Sequence, residues 1–153
     1  MEVNEALFQL NGRCGYVLKP DRLAVNPTRL NIRIISGQQL QRSTESSLFS
    51  PAVDVEILGF EGDCNKLRTK SVKSHGNYQI WNEEFIFDLI HPQCDFLRLQ
   101  VIDSDLLATS YTQCTLLINS LEQGYRHIPL FLNDANLPFS TLFVFIAILE
   151  ITE

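Results

Sequence analysis

The stretch RLNIRIIS, from Arg29 to Ser36, puts Leu30, Ile32 and Ile34 on one face, two residues apart. Side chains alternate across an extended chain, so a period of two is the mark of a strand with one buried face. The same writing recurs outward from it. AVDVEIL turns Val53, Val55 and Ile57 one way and Asp54 and Glu56 the other. NEEFIFDL groups Phe85, Phe87 and Leu89, and FLRLQVID groups Leu97, Leu99 and Val101. CTLLI, HIPLFL and TLFVFIAILE follow, and KLRTKSV adds a weaker segment, for eight candidate strands. Turn-rich pieces such as EGDC, SHGN and LNDANLP separate them. Many short strands with one apolar face predict an all-β fold, an eight-stranded antiparallel β-sandwich. Only VNEALF and NSLEQGY have helical character. The longest irregular stretch, SGQQLQRSTESSLFSP, joins the first two strands, and loops of that length are functional or mobile.

At 153 residues the chain is one domain with a short appendage, long enough to bury a conventional core without staples. Cys14, Cys64, Cys94 and Cys114 lie far apart, with no paired spacing that would hold zinc. We read them as reduced thiols in a cytoplasmic setting. The first residues, MEVNEALFQLNG, are neither a signal peptide nor an anchor. The longest apolar run, LFVFIAIL, is far shorter than a membrane-spanning helix requires. A formal net charge of -6 argues against nucleic acid as a partner and against whole-molecule attraction to anionic membranes. Membrane contact would need a local patch.

Three segments carry a family resemblance. NGRCGYVLKP, from Asn11 to Pro20, resembles the closing segment of the catalytic barrel in phosphoinositide-specific phospholipases C. LNIRIISGQQL resembles the first strand of the calcium-and-lipid-binding (C2) sandwich that follows that barrel. LEQGYRHIPLF and STLFVFIAI resemble its last strands. The resemblance implies three parts: residues 1–20 as the end of a TIM-type barrel, 21–28 as a linker and 29–153 as the C2 domain. It also implies that the chain is the C-terminal portion of a larger enzyme that cleaves phosphatidylinositol 4,5-bisphosphate into inositol trisphosphate and diacylglycerol. The catalytic histidines and the calcium of that enzyme belong to the barrel, so this chain is expected to have no catalytic residue and no cofactor of its own. His75, His91 and His127 have no partner at catalytic spacing, and we read them as surface or edge-strand histidines. The expected partners are the barrel, within one polypeptide, and an anionic phosphoinositide membrane reached by peripheral recruitment. The alternatives are the sandwich of a catalytically inactive phospholipase C-like scaffold and a freestanding lipid-binding module.

The family's C2 domains bind calcium through acidic loops, and each position must be checked because calcium takes six to eight oxygen ligands. FSPAVDV places Ser50 where the first loop's aspartate is expected. YQIWNEE keeps Trp81 and Glu83 but puts Asn82 at the next aspartate. VIDSD preserves Asp103 and Asp105, and LLATSYTQC supplies no further acid. We read Asp103 and Asp105 as a vestigial metal site, the alternative being a weak calcium site completed by water and backbone carbonyls. The Ser-Pro start of the second strand resembles the gamma and epsilon classes more than the delta class.

NKLRTKSVK gives a second candidate, a lipid-binding stripe of Lys66, Arg68 and Lys70 at alternate positions on one strand face, with Lys73 nearby. Each such cation at an anionic membrane surface is worth about 1 kcal/mol, enough for salt-sensitive recruitment. The competing reading is a solvated outer face cross-paired with Asp54 and Glu56. Phe85, Phe87, Phe143 and Phe145 are expected in the core and Trp81 as a packing anchor. Phe49 is the one aromatic considered for membrane insertion, with burial expected instead.

Overall fold

The computed structural model describes residues 8, 27–40, 49–59, 61–73, 78–103, 112–132 and 135–151. The barrel-like tail and the linker lie outside these residues except at Phe8, which is helical and exposed, and at the strand's own start. All eight expected strands form: β1 (Thr28–Gln38), β2 (Pro51–Leu58), β3 (Asn65–Arg68), β4 (Tyr78–Leu89), β5 (Phe96–Asp103), β6 (Thr112–Leu117), β7 (Gly124–Leu132) and β8 (Ala135–Glu150). Their order is β3-β2-β5-β6-β7-β8-β1-β4, with every neighbouring pair antiparallel.

Between β6 and β7 the described register holds a single pair, Gln113 opposite Phe131. The order therefore divides into two four-stranded halves, β3-β2-β5-β6 and β7-β8-β1-β4, joined edge to edge at one place. Both contribute to one core. Leu30, Ile32, Ile34, Leu142, Val144 and Ile146 from one half meet Val53, Val55, Ile57, Leu97 and Leu99 from the other. Each such side chain contributes about 1.5–3 kcal/mol when fully buried, which makes this shared layer the main cement of the sandwich.

Phe49 is buried in that core, as expected of it. Trp81 is the packing anchor: its ring covers Gly37, where an added Cβ would sit 3.0 Å away, and its indole N–H donates to the Pro51 carbonyl at 3.2 Å. A bulge positions it. Two residues of β4, Trp81 and Asn82, fill the shift in the β1 register between Ile34 and Ser36, and Asn82 takes the left-handed conformation at φ 51°. Asparagine tolerates that region better than most residues.

Phe143 and Phe145 correct the core prediction. The inward side chains of β8 are Leu142, Val144 and Ile146, so the two phenylalanines are half-buried on the outer face. The run LFVFIAI is apolar at both parities, so alternation alone does not say which set points inward. Tyr125 and His127 of β7 cover them from the neighbouring strand.

KLRTKSV is strand only as far as Arg68. Thr69 then leaves the ladder but stays on β2's edge: its N–H donates to the Val53 carbonyl at 3.0 Å, and its hydroxyl accepts from Val53 N–H at 2.9 Å. The helical expectation for NSLEQGY shrinks to a 3-10 turn at Ile118–Ser120. At that same end of the sandwich, buried Asp63 accepts from the backbone N–H groups of Ile90 and His91 at 2.9 and 2.7 Å. Those bonds fix the turn ahead of the 3-10 segment Pro92–Cys94. Gly59, at φ 149°, passes so close to Asp95 that a Cβ there would meet its carboxylate at 2.4 Å, so only glycine fits. Cys64, Cys94 and Cys114 are free thiols, and burial pushes Cys114 up to about 11.

Candidate functional site

Two places carry the candidate residues: the loop end, where β1–β2 and β5 meet, and the outer face of β3-β2-β5.

At the loop end, Ser50 is buried just before β2, and its backbone N–H donates to Asp103 Oδ1 at 3.3 Å. The start of β2 is thus bonded to the end of β5 through the Ser50 amide and the Asp103 carboxylate. Glu83, the other acid preserved from the family pattern, accepts from Lys70 N–H at 2.8 Å. Asn82 is exposed at the bulge. Asp105 lies outside the described residues, as does His75. Among the described residues no three histidine, cysteine or acidic side chains cluster as metal ligands would. Calcium takes six to eight oxygen ligands, and among the described residues Asp103 is the aspartate of the Asp103 and Asp105 pair that is placed.

On the outer face, the register sets Asp54 opposite Arg68 on one side and Gln100 on the other, and Glu56 between Lys66 and Arg98. Asp54 gathers the cations. Arg68 donates to both carboxylate oxygens, Nη2 at 3.0 Å, while Lys66 Nζ reaches Oδ2 at 2.9 Å. The Asp54 side chain is 2% exposed, against 44% and 54% for Lys66 and Arg68. Burial by itself would raise its pKa, but the hydrogen bonds and charges of Arg68 and Lys66 hold the carboxyl below its ordinary value. Arg98 pairs with Glu56 instead.

The four stripe residues therefore separate. Lys66 and Arg68 stand on β3 and are committed to Asp54. Lys70 and Lys73 follow the strand, exposed, and among the described residues their side chains make no ion pair. The alternate spacing does not place Lys70 on the strand face, because the strand ends two residues earlier. His91 is buried rather than at the surface, and His127 is stacked on Phe143 at 4.7 Å. Sequence reasoning missed the Tyr125–His127 cover on β8; its signal was the two-residue spacing of those rings in a strand beside another with phenylalanines at the same spacing.

Residues 28–128 match the C2 domain family. Human 1-phosphatidylinositol 4,5-bisphosphate phosphodiesterase delta-1 is 37% identical over an alignment that covers 97% of this chain and 22% of that protein. Mouse inactive phospholipase C-like protein 2 is 34% identical, again over 97% of this chain, and 15% of its own length is covered. Among solved structures, PLC21 of S. officinalis superposes with a TM-score of 0.80 at 24% identity, over 99% of this chain and 21% of that one. The chain thus spans about a fifth or less of these relatives. It belongs to the C2 domain family, in the form carried by phosphoinositide-specific phospholipases C and their inactive relatives.

Proposed function

We propose that this sandwich serves as the C2 region of a phosphoinositide-specific phospholipase C, holding the catalytic barrel of the same polypeptide and setting its placement at the membrane. The observation that carries the reading is one of extent. The C2 match begins at residue 28, whereas the similarity to the delta-1 phosphodiesterase covers 97% of the chain and so takes in the residues before β1. A generic C2 module has no reason to share them.

In this reading the barrel hydrolyses phosphatidylinositol 4,5-bisphosphate to inositol trisphosphate and diacylglycerol, and the calcium that the hydrolysis uses is held there. The sandwich supplies placement. In this reading it approaches a membrane without calcium, since Ser50 and Asn82 stand where acidic ligands are expected. Lys70 and Lys73 give a small attraction to anionic phosphoinositide lipid, about 1 kcal/mol each, for a protein recruited peripherally from the cytoplasm. Among the described residues no helix is long and apolar enough to cross a membrane. Identities of 37% to an active and 34% to an inactive relative leave a second reading, a C2 scaffold of an inactive phospholipase C-like protein. Those values also do not sort the classes, so the gamma or epsilon likeness rests on the Ser50-Pro51 entry to the second strand and on the depleted acidic loops.

The test is turnover by the full-length protein that carries this chain. Release of inositol trisphosphate from phosphatidylinositol 4,5-bisphosphate vesicles, with none from the 153-residue chain alone, supports the enzyme reading. Absence of turnover in a full-length protein that retains a folded barrel favours the scaffold. A turnover signal from the chain alone would refute both.

A further inference from the structure

We infer that the outer face of β7-β8-β1-β4 is the surface on which the sandwich seats against the rest of a phospholipase C-type polypeptide. The inference rests on the function proposed above and names the docking face.

Half-buried Phe143 and Phe145 form a shelf with Tyr125 and His127. Tyr125 lies 5.7 and 5.0 Å from the two phenylalanine rings, and His127 lies 4.7 Å from Phe143. The shelf is bare on its far side: Tyr125 is 62% exposed and Leu149, further along β8, is 58% exposed. Ile86 of β4, paired with Asn31 across β1, extends the apolar surface and is 53% exposed. An aromatic and aliphatic face of this kind is depleted of loose charge in the way interface cores are.

Charge decides the occupant. Among the described residues the arginines on this half are matched by carboxylates: Arg29 to Asp88 at 2.7 Å, Arg33 to Glu84 at 3.7 Å and Arg126 to Glu122 at 2.9 Å. No arginine among them is left to draw phosphate, so the face suits an uncharged protein surface rather than an anionic bilayer. The place where the phospholipase-like extension joins points the same way. Pro27 is bonded to the end of β8, its carbonyl accepting from Ile151 N–H at 2.8 Å, beside Leu149 and the Arg29–Asp88 pair. The neighbour of stated chemistry is therefore the apolar surface of another domain of the same chain, in relatives whose polypeptide is nearly five times the length matched here.

Hydroxyl-radical footprinting read by mass spectrometry tests this on the full-length protein and on the 153-residue chain. Tyr125 and Leu149 should oxidise readily in the chain alone and several-fold more slowly in the full-length protein without lipid. The paired variant Tyr125→Glu with Leu149→Glu should lower the stability of the chain by no more than the loss of Tyr125's ring contacts, while speeding proteolytic release of the sandwich from the full-length protein several-fold. Equal oxidation in both proteins overturns the inference, and full-length turnover with Tyr125 still exposed overturns this face while sparing the proposed function. Protection that appears only with vesicles assigns the face to lipid, and protection of the chain alone that grows with its concentration assigns it to a second copy; either result also overturns the inference.

Discussion

The two outer faces of the sandwich handle polarity in opposite ways. On β3-β2-β5 a buried carboxylate, Asp54, draws Lys66 and Arg68 over itself, and Glu56 takes Arg98. The face is finished: its charges are satisfied within the domain. On β7-β8-β1-β4 the ion pairs are exposed and the centre is a row of rings with one side bare. A stripe of cations is therefore a poor guide to function when the register sets acids beneath it, and an apolar outer face left uncovered is a better one.

The largest expected effect tests the finished face. Replacing Lys66 and Arg68 together by methionine strands Asp54 as a buried charge and should cost about 3 kcal/mol, the low end for breaking a buried pair because both cations are half exposed. Urea denaturation measures it, and pH supplies the sign. In the native protein the Asp54 value is depressed, so its contribution is present above the ordinary value of 3.8 and is lost as pH falls through the lower folded value. In the double variant burial alone acts and raises the value, so stability should recover on acidification toward that range. A loss that does not depend on pH would mean that packing by the long side chains, not charge, is what the two residues provide.

Next in size is the ring shelf. Phe145→Ala should cost about 1–2 kcal/mol, less than a fully buried phenylalanine, since only part of the ring is covered. Tyr125→Ala should cost about 0.5–1 kcal/mol in the chain alone, the worth of its ring contacts. Equal costs would mean that Tyr125 is held as firmly as Phe145 and that the shelf is part of the core. Arg29→Ala should leave the melting temperature unchanged within error, because an exposed pair is screened by water.

The smallest effect concerns the cations that the first face leaves over. Lys70→Ala with Lys73→Ala should reduce sedimentation with anionic vesicles at low salt, should make little difference at physiological salt, and should be indifferent to a chelator. Binding that requires calcium and is lost in Asp103→Asn would show that the Ser50–Asp103 tie opens to admit a cation.

Alternation placed all eight strands, because hydrophobic period and strand geometry share the same repeat. It failed where both parities are apolar, as in β8, since a tie in hydrophobicity leaves the inward set undetermined. The charge pairing on β2 was legible as a possibility. Which cation meets which acid depends on register, and register is a property of two strands rather than of either alone. Ser50 was legible as a neutral residue at a position where an aspartate is expected, but its amide bond to Asp103 has no signature in side-chain identity. Asp105 lies outside the described residues, and the acidic pair is not described as a unit.

β1 is paired along its length with β8, the first strand with the last, and β4 holds its other edge. On a ribosome, where roughly 5–20 residues emerge each second, β1 and β4 can meet early, but β1's second edge stays open until β8 has left the exit tunnel. Until then Leu30, Ile32 and Ile34 lack the layer formed by Leu142, Val144 and Ile146. The sandwich is thus finished only once its last strand is made, and a message that ends before β8 would yield a chain lacking the strand between β7 and β1, with an apolar edge exposed to aggregation.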